Sequence, residues 1–517
     1  MSVSPQVPGP WAQGGRTARF LHNVLWIWMS VLVNFASGFL VMPYIIHGIG
    51  DDNYGVWALV LSLIEYYWLL DFGFRSATLK YAAHYYALGE NQQVNRVLNT
   101  GLLYSSVVAV AMLGVTWLAA PHLGGLFKIS HPEFPRLVQI VGVSWSLGMV
   151  FNAFGAGLEG FQRYDITSRI WIVVSGLRSL VLVALVKLGY GLTQMALVLL
   201  ITQLAIYVMT YVRFQQVFPP LRISPALASI ERLREMAVFG FHTFTATVAF
   251  RILNQSTPLL IAAFLPIRFV SYYVVPLRVL DSASNAIGQF GMVTGSNTAE
   301  LAAKREWTTL TDLSVYANRY CAALYLALSV FLLAYGTPLL TIWIRPEYAQ
   351  VLPVLLLGAT AANSQYNSAC VLTNMARQKW YARGLVAEAV LNLAGMWYVL
   401  PRFGILGAAW VASGLMFLNR GVFVAWLLCH VLKIPLASFA GRVYAAPVGI
   451  AALVLALLEG LRHGPLPGVN WPQLILAGAI AFSIYGALAF FLVLRPVHRQ
   501  FLLTRTREIG GDIMMRW

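Results

Sequence analysis

Long apolar stretches recur along the whole chain, and they constrain its fold more than any other feature. About fourteen of them approach the roughly 20 apolar residues that an α-helix needs to cross a bilayer. Charged residues make up only 10% of the 517 residues, whereas soluble domains carry about 25%. Backbone groups in lipid must bond to one another, so such stretches form helices. The sequence therefore predicts an all-α integral membrane protein.

The predicted spans lie close together, which leaves little chain for a soluble domain. The longest connection, around residues 213–235, has room for little more than an interfacial helix. We expect no attached catalytic or nucleotide-binding domain. The spans are predicted near 24–46, 54–72, 97–120, 137–159, 168–188, 193–212, 236–264, 270–292, 312–335, 351–373, 384–400, 405–430, 443–461 and 473–494.

The distribution of lysine and arginine predicts the orientation. If the N-terminus is cytoplasmic, about 23 of the 35 basic residues fall on the cytoplasmic side and about 7 on the other. Both termini are therefore predicted to be cytoplasmic. Because topology accounts for the net charge of +16, we expect no nucleic-acid partner.

Five arginines remain inside predicted spans: Arg178, Arg251, Arg278, Arg319 and Arg420. Each costs about 2.5–3.5 kcal/mol at a helix centre, so we expect them to face water, a ligand or a partner side chain. Arg319 lies near a span end and is interpreted as reaching the interface. Arg420 is expected to pair with Glu388, either as a structural ion pair or in transport.

Two neighbouring spans carry a stripe of polar residues on one helical face. The seventh span has Thr243, Thr247, Arg251, Asn254 and Gln255, and the eighth has Arg278, Asp281, Asn285 and Gln289. Milder stripes include Asn23 and Asn34 on the first span and Asn363 and Asn367 on the tenth. Such stripes can simply bond helices together. Two adjacent stripes with arginine favour the wall of a hydrated cavity.

A weak internal repeat suggests how the spans are grouped. An offset of 216 residues places Glu65 on Asp281 in matching spans, so a parallel duplication of six spans is possible. We predict two six-helix lobes around a central cavity, followed by two C-terminal helices. The predicted segments are an N-terminal tail (1–21), a first lobe (22–216), a linker (217–235), a second lobe (236–432), two further spans (440–496) and a C-terminal tail (497–517).

Motifs that would indicate an enzyme lack their required surroundings. Residues 155–160 read Gly-x-Gly-x-x-Gly, but they end a span and no βαβ unit surrounds them. The kinase-like triplet Asp71-Phe72-Gly73 has no glycine-rich loop or catalytic-loop motif beside it. Cysteines and histidines show no metal-ligand spacing. We expect no catalytic residue, metal site or cofactor; His242 is a candidate proton carrier, with a packed histidine as the alternative.

The stretch "MPYIIHGIGDDNYGVWALVLSLIEYYWLLDFGFRSATLKYAA", residues 42–83, resembles the first hairpin of Wzx-type polysaccharide flippases of the MOP superfamily. The family carries a Gly-x-x-x-Tyr-Gly turn that leads into the second span, and here it corresponds to Gly50, Tyr54 and Gly55. The family's Leu-Asp-x-Gly motif at the end of the second span corresponds to Leu70, Asp71 and Gly73. "GLEGFQRYD", residues 157–165, is similar to the family's next cytoplasmic turn. Fourteen spans also match the family, including the two C-terminal ones.

The resemblance implies a transporter with a MATE-like fold. It would move undecaprenyl-pyrophosphate-linked sugar repeat units across the bacterial inner membrane by alternating access. Arg251 and Arg278 are expected to attract the pyrophosphate, and Arg178 is expected to add to the positive electrostatic potential. Glu65 and Asp281 would hold the arginines or bind a coupling proton or Na⁺. The further residues expected to contact substrate are Asn34, Asn254, Gln255 and Asn285.

Three alternatives stay open. A MATE-type drug antiporter shares the fold, but cationic drugs call for acidic side chains rather than arginines. A flippase for the peptidoglycan precursor lipid II would also have a cationic cavity. A membrane-embedded polysaccharide polymerase or ligase would be an enzyme, and it generally carries a large periplasmic loop that this sequence lacks.

Overall fold

A computed structural model describes residues 13–375 and 377–500 of the chain. Within these ranges, the side chains left out are those at 13–25, 27–28, 242–243, 245–247, 249–250, 286, 289–293, 296 and 378. The predictions for Asn23, His242, Thr243, Thr247 and Gln289, and for most of the two tails at 1–21 and 497–517, therefore lie outside the described residues.

The described residues form helices joined by short turns, with no strand among them. They cluster into two compact units, unit 1 (Met1–Arg268) and unit 2 (Phe269–Trp517). Unit 1 contains α1 (Gln13–Ile49), α2 (Asp51–Glu65), α3 (Phe74–Ala87), α4 (Asn91–Leu126), α5 (Phe134–Gly160), α6 (Tyr164–Lys187), α7 (Leu192–Val217) and α8 (Ile230–Phe264), with short 3₁₀ turns at Tyr66–Asp71 and Pro225–Leu227.

The Asp71-Phe72-Gly73 triplet makes a sharp turn between α2 and α3. Phe72 and Gly73 both have left-handed backbone angles, with φ of 47° and 78°, and glycine adopts that region without steric cost. The Asp71 carboxylate accepts from the backbone N–H of Arg75 at 3.2 and 3.3 Å, which satisfies a donor in the first turn of α3. The two helical stretches consequently meet at a bend of 49°.

Aromatic side chains from α5, α7 and the turn after α5 form part of the unit 1 core. Phe154, Phe161, Phe214 and Phe218 are all buried. The ring centroids of the pairs Phe154–Phe214, Phe161–Phe214 and Phe161–Phe218 each lie 5.6 Å apart, a distance typical of packed aromatic rings. Leu98 of α4 is fully buried against them. This core fixes the ends of α3, α4, α5 and α7 relative to one another.

Unit 2 is also entirely helical within its described residues. It contains α9 (Arg268–Ala303), α10 (Trp307–Trp343), α11 (Leu352–Ser364), α12 (Tyr366–Asn374), α13 (Gln378–Met416), α14 (Val424–Leu432), α15 (Leu436–Arg462) and α16 (Trp471–Leu492), with a 3₁₀ turn at Pro346–Ala349 and a π-helix at Phe417–Phe423. The start of α9 at Arg268 overlaps the last residue of unit 1.

Nine helical stretches in the described part of the chain are long and apolar enough to cross a membrane, or ten if the bent pair α2–α3 is one span. One stretch, Lys379–Leu432, covers two of the predicted spans. The predicted spans at 236–264, 270–292 and 351–373 are not among these stretches. The all-α membrane class is confirmed, whereas the count of fourteen stays a prediction.

Each of these three predicted spans carries a polar stripe, as does the first span. Helices α8 and α9 have 35 and 36 residues, which is long enough to cross a bilayer, and each contains residues whose side chains the structure does not describe. The predicted span at 351–373 is divided into α11 and α12. Unit 1 extends through α8, so the seventh predicted span packs with earlier ones. The lobe boundaries at 22–216 and 236–432, the linker at 217–235 and the segment 440–496 stay predictions.

Candidate functional site

Glu65 and Arg251 form an ion pair within unit 1. Glu65 is the last residue of α2, and Arg251 lies in the second half of α8. Their side chains are 30% and 27% exposed, so neither charge is fully removed from solvent. A pair with this exposure carries a smaller desolvation cost than a buried one, and its arginine can exchange the carboxylate for another anion.

Two glycines allow α8 to lie directly against α2 and the following turn. A β-carbon on Gly55 would be 2.3 Å from the carbonyl oxygen of Ile267, and one on Gly240 would be 2.3 Å from the carbonyl oxygen of Phe72. Both distances are too short for any larger residue without backbone movement. We call the contact between Asp51–Phe72 and Gly240–Ile267 the α2–α8 seam.

Polar and aromatic contacts fill the seam between the two glycines. The hydroxyls of Tyr66 and Ser256 share a hydrogen bond of 2.7 Å. The rings of Phe72 and Phe244 lie 4.5 Å apart. These contacts fix the register of α8, and they thereby position Arg251 opposite Glu65.

A second ion pair, which the sequence analysis missed, lies in the same unit. The Arg75 guanidinium donates from Nη2 to both carboxylate oxygens of Glu159 at 2.7 Å, and from Nε to Oδ1 of Asn152 at 2.9 Å. The sequence analysis assigned no site role to Arg75. A signal was present, because Arg75 follows the Leu-Asp-x-Gly motif and Glu159 lies in the "GLEGFQRYD" motif.

Both ion pairs border one cavity of about 650 Å³ in unit 1. Aromatic rings and neutral polar groups supply much of the remaining wall. The two arginines and two glutamates among the lining residues balance in formal charge. The lining residues include Glu65, Tyr67, Trp68, Arg75, Trp145, Asn152, Glu159, Trp171, Gln203, Tyr207 and Arg251.

Arg178 lies beside this cavity on α6. Its guanidinium carbon is 5.9 Å from the ring centroid of Trp171, and Trp171 lines the cavity. Arg178 forms no ion pair with another described residue. Its charge is therefore not balanced by a directly paired carboxylate in the described part of the chain.

Three other predicted site residues of unit 1 are not among the residues that line the cavity in the described structure. Asn254 and Gln255 on α8 are partly buried, and Asn34 on α1 is exposed. The structure thus brings together Glu65 and Arg251, with Arg178 nearby, and places the three amides elsewhere. Roles for these amides stay predictions.

In unit 2, the predicted residues Arg278, Asp281 and Asn285 all lie on α9 and are exposed. Their spacing of three and four residues places them on one face of the helix. Neither charged side chain forms an ion pair with another described residue. Arg251 and Arg278 belong to different units, and each is described with its own unit.

Glu388 and Arg420 of unit 2 form the expected ion pair at 3.0 Å, with side-chain exposures of 1% and 18%. Asn419 also donates to Glu388 at 2.6 Å. Both partners of Glu388 lie in the π-helix, an irregular turn that brings neighbouring side chains towards α13. Arg319 donates to the backbone oxygen of Leu492 near a helix end.

The family model for polysaccharide biosynthesis proteins matches residues 20–294, just over half of the chain. The chain belongs to this polysaccharide biosynthesis protein family. A relative from Bacillus subtilis (strain 168), named as the uncharacterized membrane protein EpsK, is 21% identical and aligns over 96% of this chain and 97% of its own length.

Solved structures show the fold that this polysaccharide biosynthesis protein shares. The lipid II flippase MurJ in an inward closed conformation gives a TM-score of 0.67 at 12% identity, covering 92% of this chain and 99% of that one. An inward-facing MATE multidrug transporter of the MOP superfamily gives 0.63 at 15% identity, covering 78% and 95%. Together with the family match, they confirm the predicted resemblance to Wzx-type proteins and the MATE-like fold.

The structure explains why two of the family motifs in this polysaccharide biosynthesis protein contain glycine. Gly55 permits the α2–α8 seam to close at Ile267, and Gly73 permits the bend after α2. Glu65 lies between these two glycines. The motif residues therefore set the position of the Glu65–Arg251 pair on the cavity wall.

Proposed function

We propose that this protein is a flippase for polyprenyl-pyrophosphate-linked oligosaccharides in surface polysaccharide biosynthesis. It would carry undecaprenyl-linked repeat units across the bacterial inner membrane by alternating access, with both termini in the cytoplasm. The observation that carries the proposal is the unit 1 cavity, where an exchangeable arginine lies among aromatic rings. The family match and the MOP fold support transport rather than catalysis.

Arginine is suited to the pyrophosphate of such a substrate. Its planar guanidinium can donate two parallel hydrogen bonds to phosphate oxygens. Arg251 forms an ion pair with Glu65 in this structure, so phosphate binding requires the guanidinium to exchange the Glu65 carboxylate for the phosphate. Arg178, without a paired carboxylate among the described residues, adds positive potential. Arg278 of unit 2 is the second proposed phosphate ligand.

The remaining cavity wall suits a sugar. Trp68, Trp145 and Trp171 offer flat apolar faces against which the C–H faces of a sugar ring can stack. Asn152 and Gln203 offer amide donors and acceptors for hydroxyl groups. A cavity that combines a few polar groups with aromatic walls is typical of small-molecule sites.

Glu65 and Asp281 are the proposed sites of energy coupling. Protonation of Glu65 would remove the charge that holds Arg251, and the freed guanidinium would then bind phosphate. Na⁺ is the alternative coupling ion, since a carboxylate can ligate it. In either case, ion binding at Glu65 and substrate binding at Arg251 would favour one another, which is a coupling between two ligands.

The proposal is tested by surface-polysaccharide output in a strain that lacks its own flippase. Each charged hydrogen bond is worth about 1.5–3 kcal/mol, so Arg251→Ala and Arg278→Ala should each lower output about tenfold or more, and the double variant should abolish it. Lysine variants should retain part of the function, because charge remains while the planar fork is lost.

Arg402→Ala is the matched control, because Arg402 is exposed and contacts only Tyr398 among the interactions described for it. Immunodetection must show equal amounts of each variant in the membrane. Full output from the double alanine variant at a normal protein level would contradict the phosphate-binding role.

Lipid II transport is the second candidate, because the MurJ structure covers 92% of this chain. Expression in cells depleted of their lipid II flippase separates the two candidates. We expect no rescue of growth there and rescue of polysaccharide output in the first strain. The opposite pattern would favour lipid II.

A further inference from the structure

Three helices of unit 2 meet at a cluster of charged and aromatic side chains. Helices α10 and α15 begin near this cluster and α16 ends there, and the three helices pack against one another. All three are long and apolar enough to cross a membrane. Because the ends of membrane-spanning helices lie at the depth of the lipid headgroups, the cluster lies at the surface of the bilayer.

One carboxylate holds two arginines of this cluster together. Asp312 of α10 accepts from Nη2 of Arg442 on α15 at 2.9 Å, and from Nη2 of Arg495 just after α16 at 2.7 Å. The side chains of Asp312, Arg442 and Arg495 are 45%, 40% and 34% exposed. Two guanidinium groups on one carboxylate leave one positive charge in excess, at a place that a ligand can reach.

The ring of Tyr316, one turn after Asp312 on α10, lies beside both guanidinium groups. The guanidinium carbon of Arg495 is 3.5 Å from the ring centroid, and that of Arg442 is 6.0 Å from it. A cation over an aromatic ring is stabilised, and the shared carboxylate and ring keep the two guanidinium groups adjacent. Each guanidinium carries five N–H donors, of which the contacts with Asp312 and Tyr316 use only a part.

Two further arginines extend the positive charge around the end of α16. Arg319 donates to the backbone oxygen of Leu492, and Arg499 donates to the backbone oxygen of Phe491 at 2.7 Å. Neither forms an ion pair with a carboxylate of the described residues. Four arginines and the single carboxylate of Asp312 therefore give this cluster an excess of three positive charges.

Apolar surface continues from the cluster along α16. Phe491 and Leu492, in the last turn of the helix, are 63% and 56% exposed. Phe482 and Ile475, further along the same helix, are exposed as well. Acyl chains can pack against such a surface, whereas a small soluble anion makes no use of it.

We propose that this cluster binds the headgroup of one anionic glycerophospholipid of the surrounding bilayer. Its phosphate bridges Arg442 and Arg495, and its acyl chains lie along the exposed apolar side chains of α16. Arginine suits the phosphate, because its planar guanidinium can donate two parallel hydrogen bonds to phosphate oxygens. Basic sites between membrane helices bind anionic headgroups for the same reason. The site belongs to unit 2 and is independent of the proposed flippase activity.

The test measures lipid retention by the full-length protein. Protein purified in detergent is mixed with phosphatidylglycerol or phosphatidylcholine, and bound lipids are counted by native mass spectrometry. We expect phosphatidylglycerol to be retained in preference to phosphatidylcholine. Each arginine near a membrane surface contributes about a fivefold gain in affinity for an anionic lipid, so Arg442→Gln with Arg495→Gln should weaken phosphatidylglycerol binding about 25-fold.

Two further variants guard the result against misfolding and non-specific charge effects. Arg442→Lys with Arg495→Lys keeps the charge and should retain most of the binding. Arg305→Gln with Arg383→Gln is the matched control, because it removes the same charge from exposed positions of the same unit, and it should bind phosphatidylglycerol like the unchanged protein. Unaltered retention in the Arg442 and Arg495 glutamine variant, or an equal loss in the control, would overturn the proposal.

A competition arm separates a membrane lipid from a soluble phosphate ester. Glycerophosphoglycerol, the headgroup of phosphatidylglycerol without its acyl chains, is added to protein that already holds phosphatidylglycerol. We expect no displacement at equimolar amounts, because the headgroup alone lacks the apolar contacts with α16. Displacement at equimolar amounts would assign the cluster to soluble phosphate esters and refute a phospholipid site.

Discussion

The α2–α8 seam of unit 1 and the contact between α13 and the π-helix of unit 2 contain the same chemical pair in different surroundings. Each joins a glutamate on one helix to an arginine on another. Glu388 is 1% exposed and also receives a hydrogen bond from Asn419. Glu65 is 30% exposed and borders a cavity of about 650 Å³. Exposure, rather than residue type, separates the two pairs.

The difference has an energetic consequence. A buried ion pair needs its partner, because a lone charge left without water carries the full desolvation cost. A pair beside a cavity can take water or an anion in place of the lost partner. We therefore interpret Glu388–Arg420 as structural and Glu65–Arg251 as exchangeable.

The largest expected effect is the loss of stability when Glu388 is removed. Glu388→Ala leaves Arg420 without a carboxylate, and removal of one partner from a buried pair costs about 3–5 kcal/mol. Thermal unfolding of the detergent-solubilised protein should show a strongly lowered midpoint. Glu347→Ala, at an exposed position of the same unit, should leave the midpoint unchanged. Equally small shifts of the thermal midpoint in both variants would show that the Glu388–Arg420 pair is not a structural one.

The partnership of Glu388 and Arg420 could be predicted from the sequence because both charges had to avoid lipid and lay on consecutive spans. The membrane class and helical fold followed from apolar segments of sufficient length. The count of fourteen spans stays a prediction. Helices α8 and α9, which carry the two main polar stripes, are nevertheless 35 and 36 residues long.

The second prediction concerns the close approach in the α2–α8 seam. Gly55→Ala would place a β-carbon 2.3 Å from a backbone oxygen of Ile267, and overpacking of this kind costs about 1–3 kcal/mol. Gly114→Ala is the matched control, because nothing lies within 4 Å of a β-carbon there. Alanine also favours a helix by up to about 1 kcal/mol over glycine. The thermal midpoint should fall for the first variant and hold or rise for the second; equal midpoints would show that the seam is not tight.

The cavity wall illustrates what the sequence alone could not supply. Periodicity identifies the face of one helix, and it placed Arg251 on a polar stripe. It does not identify the partner on another helix. Arg75 and Glu159 are separated by 84 residues, and each lies at a span end where charges are common. Their pairing, and the indole rings of Trp68 and Trp145 beside them, depend on how α3 and α5 pack.

The smallest expected effect on stability is at the cavity pair itself, and a double-mutant cycle measures it. Because water reaches both side chains, Glu65→Gln, Arg251→Gln and the combined variant should give a coupling free energy of about 1 kcal/mol or less. The equivalent cycle on Glu388 and Arg420 should give a value several times larger. Polysaccharide output should nevertheless fall in both cavity variants, because Arg251 is the proposed phosphate ligand and Glu65 the proposed site of energy coupling. A large coupling energy at Glu65–Arg251 would mean that the pair is a structural one, and that Arg251 is not free to exchange its partner.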